Sequence, residues 1–193
     1  MISFKSISWM NFLSTGNYPT KVQLDRSSST LIVGKNGGGK STIIDALSFA
    51  LYNKPFRKIN KPQLVNSVNG KGLLVEVEFN ANNADYQVIR GIKPNRFEIY
   101  KNGVLLGQDA AIKDYQEHLE KGILKMNHRS FCQVVVLGSA TYVPFMQLGA
   151  YQRREIIEDL LDIQIFSTMN LLLKDRVSAN KEAAQKNKYD LDL

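Results

Sequence analysis

The chain is short of several things, and each shortage narrows what it can be. Its 193 residues include one cysteine, Cys132, so no disulfide forms within the chain, and the usage fits a reducing compartment. No apolar run approaches the roughly 18 residues that a membrane span needs. The opening stretch MISFKSISWMN alternates like a strand and has neither the charged nor the apolar region of a signal peptide. The expectation is a cytoplasmic protein with no membrane partner. His118 and His128 lie far apart with no neighbouring ligand residues, which argues against a metal site built on them.

Negative charge is scarce in one half only. Residues 1–100 carry 13 Lys+Arg against 6 Asp+Glu, whereas residues 101–193 carry 12 against 12, so the whole net charge of +7 sits in the first half. Such an excess points to a polyanionic partner, either nucleotide phosphates or nucleic acid. The length suits one ordinary domain with a real core.

At the centre of the basic half stands LIVGKNGGGKSTIIDALSFALY, residues 31–52. Gly34-Lys35-Asn36-Gly37-Gly38-Gly39-Lys40-Ser41 satisfies G-x-x-x-x-G-K-[ST] at every fixed position, with an apolar segment before it and a helical pattern after it. A loop that wraps a phosphate must turn successive N–H groups inward, and glycine allows the angles and the close approach. A following helix adds unpaired N–H groups and the positive end of its dipole. On this reading residues Asn36 to Thr42 bind a nucleoside triphosphate. Lys40 serves the β- and γ-phosphates, the Ser41 hydroxyl takes Mg²⁺, and Thr42 faces a phosphate. A free-standing P-loop kinase usually begins with its loop, and some thirty residues precede this one.

Around the loop, strands are expected over Ile2–Met10, Thr20–Leu24 and Thr30–Val33, the last as a short buried strand, and a helix over Ser41–Tyr52 with Asn53 as its stop. Leu73–Asn80 alternates, with Val75, Val77 and Phe79 on one side and Glu76 and Glu78 on the other. With Tyr86–Arg90 and Phe97–Tyr100 it predicts an antiparallel meander turning at Asn82-Asn83 and Lys101-Asn102-Gly103. Ala110–Lys121 reads as helix, His128–Leu137 as either helix or strand, and the chain from Gln152 as helix. A seam of Phe166, Met169 and Leu173 opens there and fades after about one and a half heptads, as either the root of a coiled coil or a solvated helix. Lys54, Arg57 and Lys58 form a basic loop, read either as a DNA-phosphate contact or as a solvated surface.

These residues carry a resemblance. The segments ISWMNFLST, LIVGKNGGGKSTIIDALSFALY, RSFCQVVVLG, FMQL and RREIIEDLL resemble the N-terminal half of the SbcC family of SMC-like ATPases, subunits of DNA-end-processing nuclease complexes, and between Phe131 and Leu161 its bacteriophage members. The resemblance implies an α/β P-loop NTPase fold: the N-terminal lobe of an ABC/SMC-like head over 1–162, with an antiparallel β-meander, and the start of a coiled-coil helix over 163–193. It implies ATP and Mg²⁺ as cofactors. As partners it implies a C-terminal lobe of the same ATPase, a second head in a homodimer, a metallophosphoesterase nuclease subunit and double-stranded DNA ends. It also places Asn66 and Ser67 where related heads touch nucleotide. Ser139 falls where most relatives have the glutamine that senses Mg²⁺ and the attacking water, and is read either as a metal ligand, directly or through water, or as a plain turn residue. Leu13, after Asn11-Phe12, falls where relatives often carry an arginine facing the nucleotide.

What the sequence lacks here matters as much. No apolar run ends in Asp-Glu as a Walker B strand does, and no Leu-Ser-Gly-Gly-like signature occurs. Phosphoryl transfer needs a positioned water or base as well as a phosphate cradle. The chain is therefore expected to bind ATP–Mg²⁺ weakly or not at all by itself and to hydrolyse little. The alternatives are a non-hydrolysing ATP-binding regulatory fragment and a free-standing kinase.

Overall fold

The computed structural model describes residues 2–107, 112–137, 143–161 and 163–192. The chain divides into two compact units, Met1–Val143 and Pro144–Leu193.

The first unit is organised by a six-stranded antiparallel sheet in the order β2-β1-β3-β4-β5-β6. Its strands are β1 (Ile2–Met10), β2 (Thr20–Gln23), β3 (Leu73–Ala81), β4 (Ala84–Ile92), β5 (Arg96–Lys101) and β6 (Val104–Leu105). Every second residue of β3, from Leu73 to Ala81, is buried, as its alternation predicts. The Asn82-Asn83 and Asn102-Gly103 turns run at positive φ, which Asn and Gly tolerate, so the meander closes tightly. In β1 the apolar positions change phase between Phe4 and Ile7. A bulge at Lys5 absorbs the change, with Phe4 opposite Phe79 and Ser6 opposite Glu78, and it keeps Ile7 and Trp9 in the core.

Helix α1 (Thr42–Tyr52) lies on this sheet across β1, β3 and β4 and buries Ala46, Phe49, Ala50 and Leu51 completely. It ends where expected: Asn53 takes a left-handed φ of 58° and returns its N–H to Phe49 O. Its C-terminal end is fastened by Arg90 of β4, which is 4% exposed. The Arg90 Nε donates to Ala50 O at 2.9 Å, a terminal nitrogen donates to Gln116 Oε1 at 2.6 Å, and the guanidinium lies 3.7 Å over the Phe97 ring. Burial pulls its pKa down to about 9, so it stays charged at neutral pH.

Three sequence expectations are corrected or resolved. Thr30–Val33 forms no strand: Leu31, Ile32 and Val33 are 87%, 45% and 81% exposed. A P-loop strand is buried when parallel neighbours flank it, and none of the six described strands pairs with this segment. The helix expected over Ala110–Lys121 is α2 (Ile112–Glu117) followed by a π-helical turn, His118–Leu124, which ends at Lys125 in the left-handed region. His128–Leu137 resolves as helix α3 (His128–Val134), capped by the Asn127 side chain accepting from Ser130 N at 2.9 Å.

The second unit holds α4 (Ala150–Leu160) and the 29-residue α5 (Gln164–Asp192). On α4 Arg154 pairs with Glu158 at 2.6 Å, while Arg153 donates to Met146 O and Leu148 O. Phe166, Met169 and Leu173 of the α5 seam are exposed. No helix among the described residues is long and apolar enough to cross a membrane.

Candidate nucleotide-binding site

The glycine-rich loop forms a cradle, and its geometry requires glycine. Gly37 and Gly39 have φ of +82° and +86°, and a Cβ on Gly38 would stand 3.0 Å from Lys35 O. The Gly38 N–H closes the turn onto Lys35 O at 3.0 Å, and Thr42 N–H returns to Gly39 O at 3.0 Å as α1 begins. Lys40 folds back over the loop, with Nζ donating to Gly34 O at 2.6 Å and Lys35 O at 2.8 Å, so its charge lies directly beside the cradle.

The cradle is one wall of a cleft of about 570 Å³ lined by Asn36, Gly37, Gly39, Lys40, Ser41 and Thr42, together with Leu13, Ser14, Arg57 and Ile59. That volume is in the range of small-ligand sites. Its chemistry is one-sided, with an ammonium, a guanidinium, three hydroxyls and a glycine turn, and no carboxylate among the lining residues. A triphosphate fits such a wall. Ser41 and Thr42, at the start of α1, offer hydroxyls to a hard cation and a phosphate oxygen.

Arg57 is anchored from within the protein. It belongs to the basic loop read as a DNA contact or a solvated surface, yet its Nε and a terminal nitrogen grip Asp45 Oδ2 at 2.6 and 2.5 Å, and its main-chain N–H donates to Asp45 Oδ1 at 3.0 Å. Asp45 lies on α1 and is fully buried. The pair fixes the loop against the P-loop helix and turns Arg57 into the cleft. Lys54 and Lys58 remain exposed on the same loop. No sequence-window signal links Asp45 to Arg57. The hint was an aspartate inside an otherwise apolar helix, which needs a partner when buried.

Asn66 and Ser67 do not line the cleft. Asn66 is 7% exposed and its side chain hydrogen-bonds to the main chain of Leu13, Thr15, Val68 and Asn69, and Ser67 is exposed. Leu13 does line it. Ser139 lies outside the described residues. Gln133, on α3, donates to Val143 O at 3.1 Å.

One polar cluster behind α1 was missed. Ser48 is fully buried; its Oγ donates to Lys54 O at 2.8 Å and lies 3.0 Å from His128 Nε2. With the hydroxyl proton spent on that carbonyl, the ring nitrogen is the donor. Desolvation, and then the charge of Lys54, pull the His128 pKa down to about 4. Cys132 Sγ is 3.5 Å from the same nitrogen, and burial pushes its pKa up to about 11, which makes it a poor nucleophile. Among the described residues no group of His, Cys, Asp and Glu could hold a metal ion.

Cradle, cleft and helix together define a P-loop nucleotide-binding protein, and comparison with known proteins narrows the class. The AAA domain family matches residues 6–193, and the chain belongs to that family. It is 45% identical over 179 residues to exonuclease subunit 2 of Escherichia phage RB69, a match covering 92% of this chain and 32% of that protein. It is also 28% identical over 189 residues to the SbcC component of nuclease SbcCD from Staphylococcus aureus strain MRSA252, covering 89% of this chain and 18% of the relative. A third relative is the DNA double-strand break repair Rad50 ATPase of Thermoplasma acidophilum, 26% identical over 177 residues, with 90% and 19% covered. The chain thus spans about a third or less of the length of these curated relatives. In fold it is similar to the Smc head domain of Pyrococcus furiosus, with a TM-score of 0.62 and 19% identity over 96% of this chain and 48% of that one. The resemblance to SbcC-type, SMC-like ATPases is therefore shown, and the fold is that of an SMC-like P-loop head with an antiparallel sheet.

Proposed function

We propose that the chain is the N-terminal lobe of an ATPase head that gates DNA-end processing by a partner nuclease in phage recombination and repair, acting in the host cytoplasm. One juxtaposition carries the reading: a complete phosphate cradle stands next to an apolar segment, Leu31–Val33, that has no strand beside it. Half of a nucleotide site and half of a sheet are present together. The missing half is a C-terminal lobe of the same ATPase, bringing a strand to pair with 31–33 and a carboxylate to activate water. The exposed α5 seam fits the root of a coiled coil leading to it.

In this reading the amides of residues 36–40 and the Lys40 ammonium hold the β- and γ-phosphates of ATP. Ser41 is the protein ligand of Mg²⁺, Thr42 takes a phosphate oxygen, and Arg57, held by Asp45, adds positive charge to the same wall. Bound Mg²⁺ supplies charge neutralisation on the phosphates. Two such heads close on two nucleotides. A metallophosphoesterase subunit, docked near the coiled-coil root, cuts double-stranded DNA ends, and Lys54 and Lys58 are available to the phosphates of that DNA. Support for the nuclease setting comes from the similarity to exonuclease subunit 2 and to the SbcC component of nuclease SbcCD.

Alone, the chain binds ATP–Mg²⁺ weakly and turns over little, because no carboxylate is among the described residues that line its cleft. That same observation favours the second reading, a regulatory fragment that binds ATP without hydrolysing it. ATP turnover measured with and without an added C-terminal lobe decides between them: DNA-stimulated hydrolysis only in the reassembled head supports the nuclease ATPase, and full turnover by this chain alone overturns it. Lys40→Met in the reassembled head should abolish nucleotide retention.

A further inference from the structure

Asn66 spends its whole side chain on the protein. Its Nδ2 donates to Leu13 O and Thr15 O, each at 3.0 Å, and its Oδ1 accepts the N–H groups of Val68 and Asn69, each at 3.0 Å. A carboxamide offers two donors and two acceptor positions, so none is left for a ligand. Its own N–H reaches Asn11 O at 2.9 Å. The turn it grips is unusual. Asn11 and Leu13 both have positive φ, 51° and 54°. Asparagine tolerates that region, but leucine has no side-chain hydrogen bond to offset the clash of its Cβ.

Backbone strain of this kind persists only where the surroundings over-determine it, and it gathers at ligand sites. Here the determinants are visible. Leu64 O takes the Leu13 N–H at 2.7 Å, and Asn66 takes the Leu13 carbonyl. The outcome is that Leu13 and Ser14 form part of the wall of the cleft that contains the P-loop.

We propose that Asn66 is a positioning residue for nucleotide binding: through the Leu13 carbonyl it holds Leu13 in the left-handed conformation that makes its side chain an apolar wall for the ribose and base of a nucleotide whose phosphates the P-loop takes. The inference rests on the ATP-binding reading above. Without the Asn66 amide, Leu13 relaxes to negative φ and carries its side chain off the wall. The binding-competent fraction then falls, and the apparent Kd rises by the inverse of that fraction.

The test is a titration of ATP–Mg²⁺ into the reassembled head, with this chain ¹⁵N-labelled, reading the glycine amides of the P-loop, and with melting of the chain followed separately in the absence of nucleotide. Asn66→Ala is expected to raise the Kd about tenfold. Leu13→Gly takes the same backbone angle without strain but gives up the packing of the leucine side chain on the core, so it should melt below the parent, remain folded, and bind several-fold more weakly. Adding Asn66→Ala to Leu13→Gly should change the Kd little further, a non-additivity that a purely structural asparagine does not produce. Fully additive losses overturn the inference, as does a folded Asn66→Ala with parental affinity. If Asn66→Ala does not fold, an unchanged Kd for Leu13→Gly overturns it. Lys40→Ala separates the two layers: unmoved glycine amides in the parent, or no loss with Lys40→Ala, remove the ATP reading itself, whereas a loss with Lys40→Ala and none at Leu13 or Asn66 removes only the positioning role.

Discussion

Strand β3, LLVEVEFNA, and the segment Thr30–Val33, TLIV, are built from the same apolar and β-branched residue types, and they end in opposite places. Strand β3 pairs on one side with β1 and on the other with β4, and Val75, Val77 and Phe79 have no exposed surface. The shorter segment runs directly into the P-loop with no strand on either side, and Leu31 and Val33 are more than four-fifths exposed. A strand-forming sequence needs neighbours to become a strand, because its N–H and C=O groups are satisfied across the ladder and its side chains are buried by a second layer. The part of the molecule that is finished is the antiparallel sheet with α1. The unfinished part is the one that leads into the glycine-rich loop.

The comparison is broken most severely at β3. Phe79 is fully buried between Phe4, at a ring distance of 5.9 Å, and Tyr86, stacked at 5.6 Å. Phe79→Ala should cost about 3–5 kcal/mol in urea unfolding, with both the transfer and the cavity contributing. Asp45→Ala comes next. It strips the Arg57 loop of its anchor on α1 and should cost about 1–3 kcal/mol. It should also weaken ATP–Mg²⁺ binding in the reassembled head, since Arg57 is then free to leave the cleft.

These two cases also mark how far the sequence could be read. The meander and α1 were legible because their signals are local: alternation in 73–81, Asn and Gly at the turns, helical spacing from Ile43 to Leu51 and Asn53 at the stop. The glycine loop was legible because close approach to a phosphate restricts residue type at fixed spacing. The exposure of Leu31–Val33 was not, because an apolar run reports a preference for burial and says nothing about whether a neighbour is there to provide it. The Asp45–Arg57 pair and the grip of Asn66 on Leu13 span 12 and 53 residues, distances at which no periodicity connects partners. The resemblance places Asn66 at the nucleotide, and nothing local in the sequence foretells that its side-chain hydrogen bonds go to Leu13, Thr15, Val68 and Asn69.

The cluster behind α1 sharpens the comparison through pH. His128 is neutral in the folded state down to about pH 4, whereas an unfolded histidine takes a proton near pH 6.5. Above pH 6.5 neither state is protonated and the group contributes no pH dependence. As pH falls from there toward 4, the unfolded state binds a proton that the folded state refuses, so stability declines across that window and levels off below it. Unfolding curves at pH 7 and pH 4.5 should therefore lie closer together for His128→Gln than for the parent. Equal separations would mean that the ring is not held neutral by burial against Ser48.

The smallest expected effect is the most informative. Val33→Ala removes two methyl groups from a side chain that is 81% exposed, so in this chain alone it should change stability by no more than about 0.5 kcal/mol. If a C-terminal lobe supplies the strand that covers this segment, the same substitution leaves a gap in a buried sheet once the lobe is bound. The head should then assemble more weakly by about 1–2 kcal/mol, roughly a five- to thirtyfold rise in the Kd between lobes, with ATP-dependent turnover reduced in step. Isothermal titration of the lobe into parent and variant measures this directly. An identical Kd would mean that the apolar run before the P-loop stays uncovered in the assembled head, and the likeness between Thr30–Val33 and β3 would be one of composition alone.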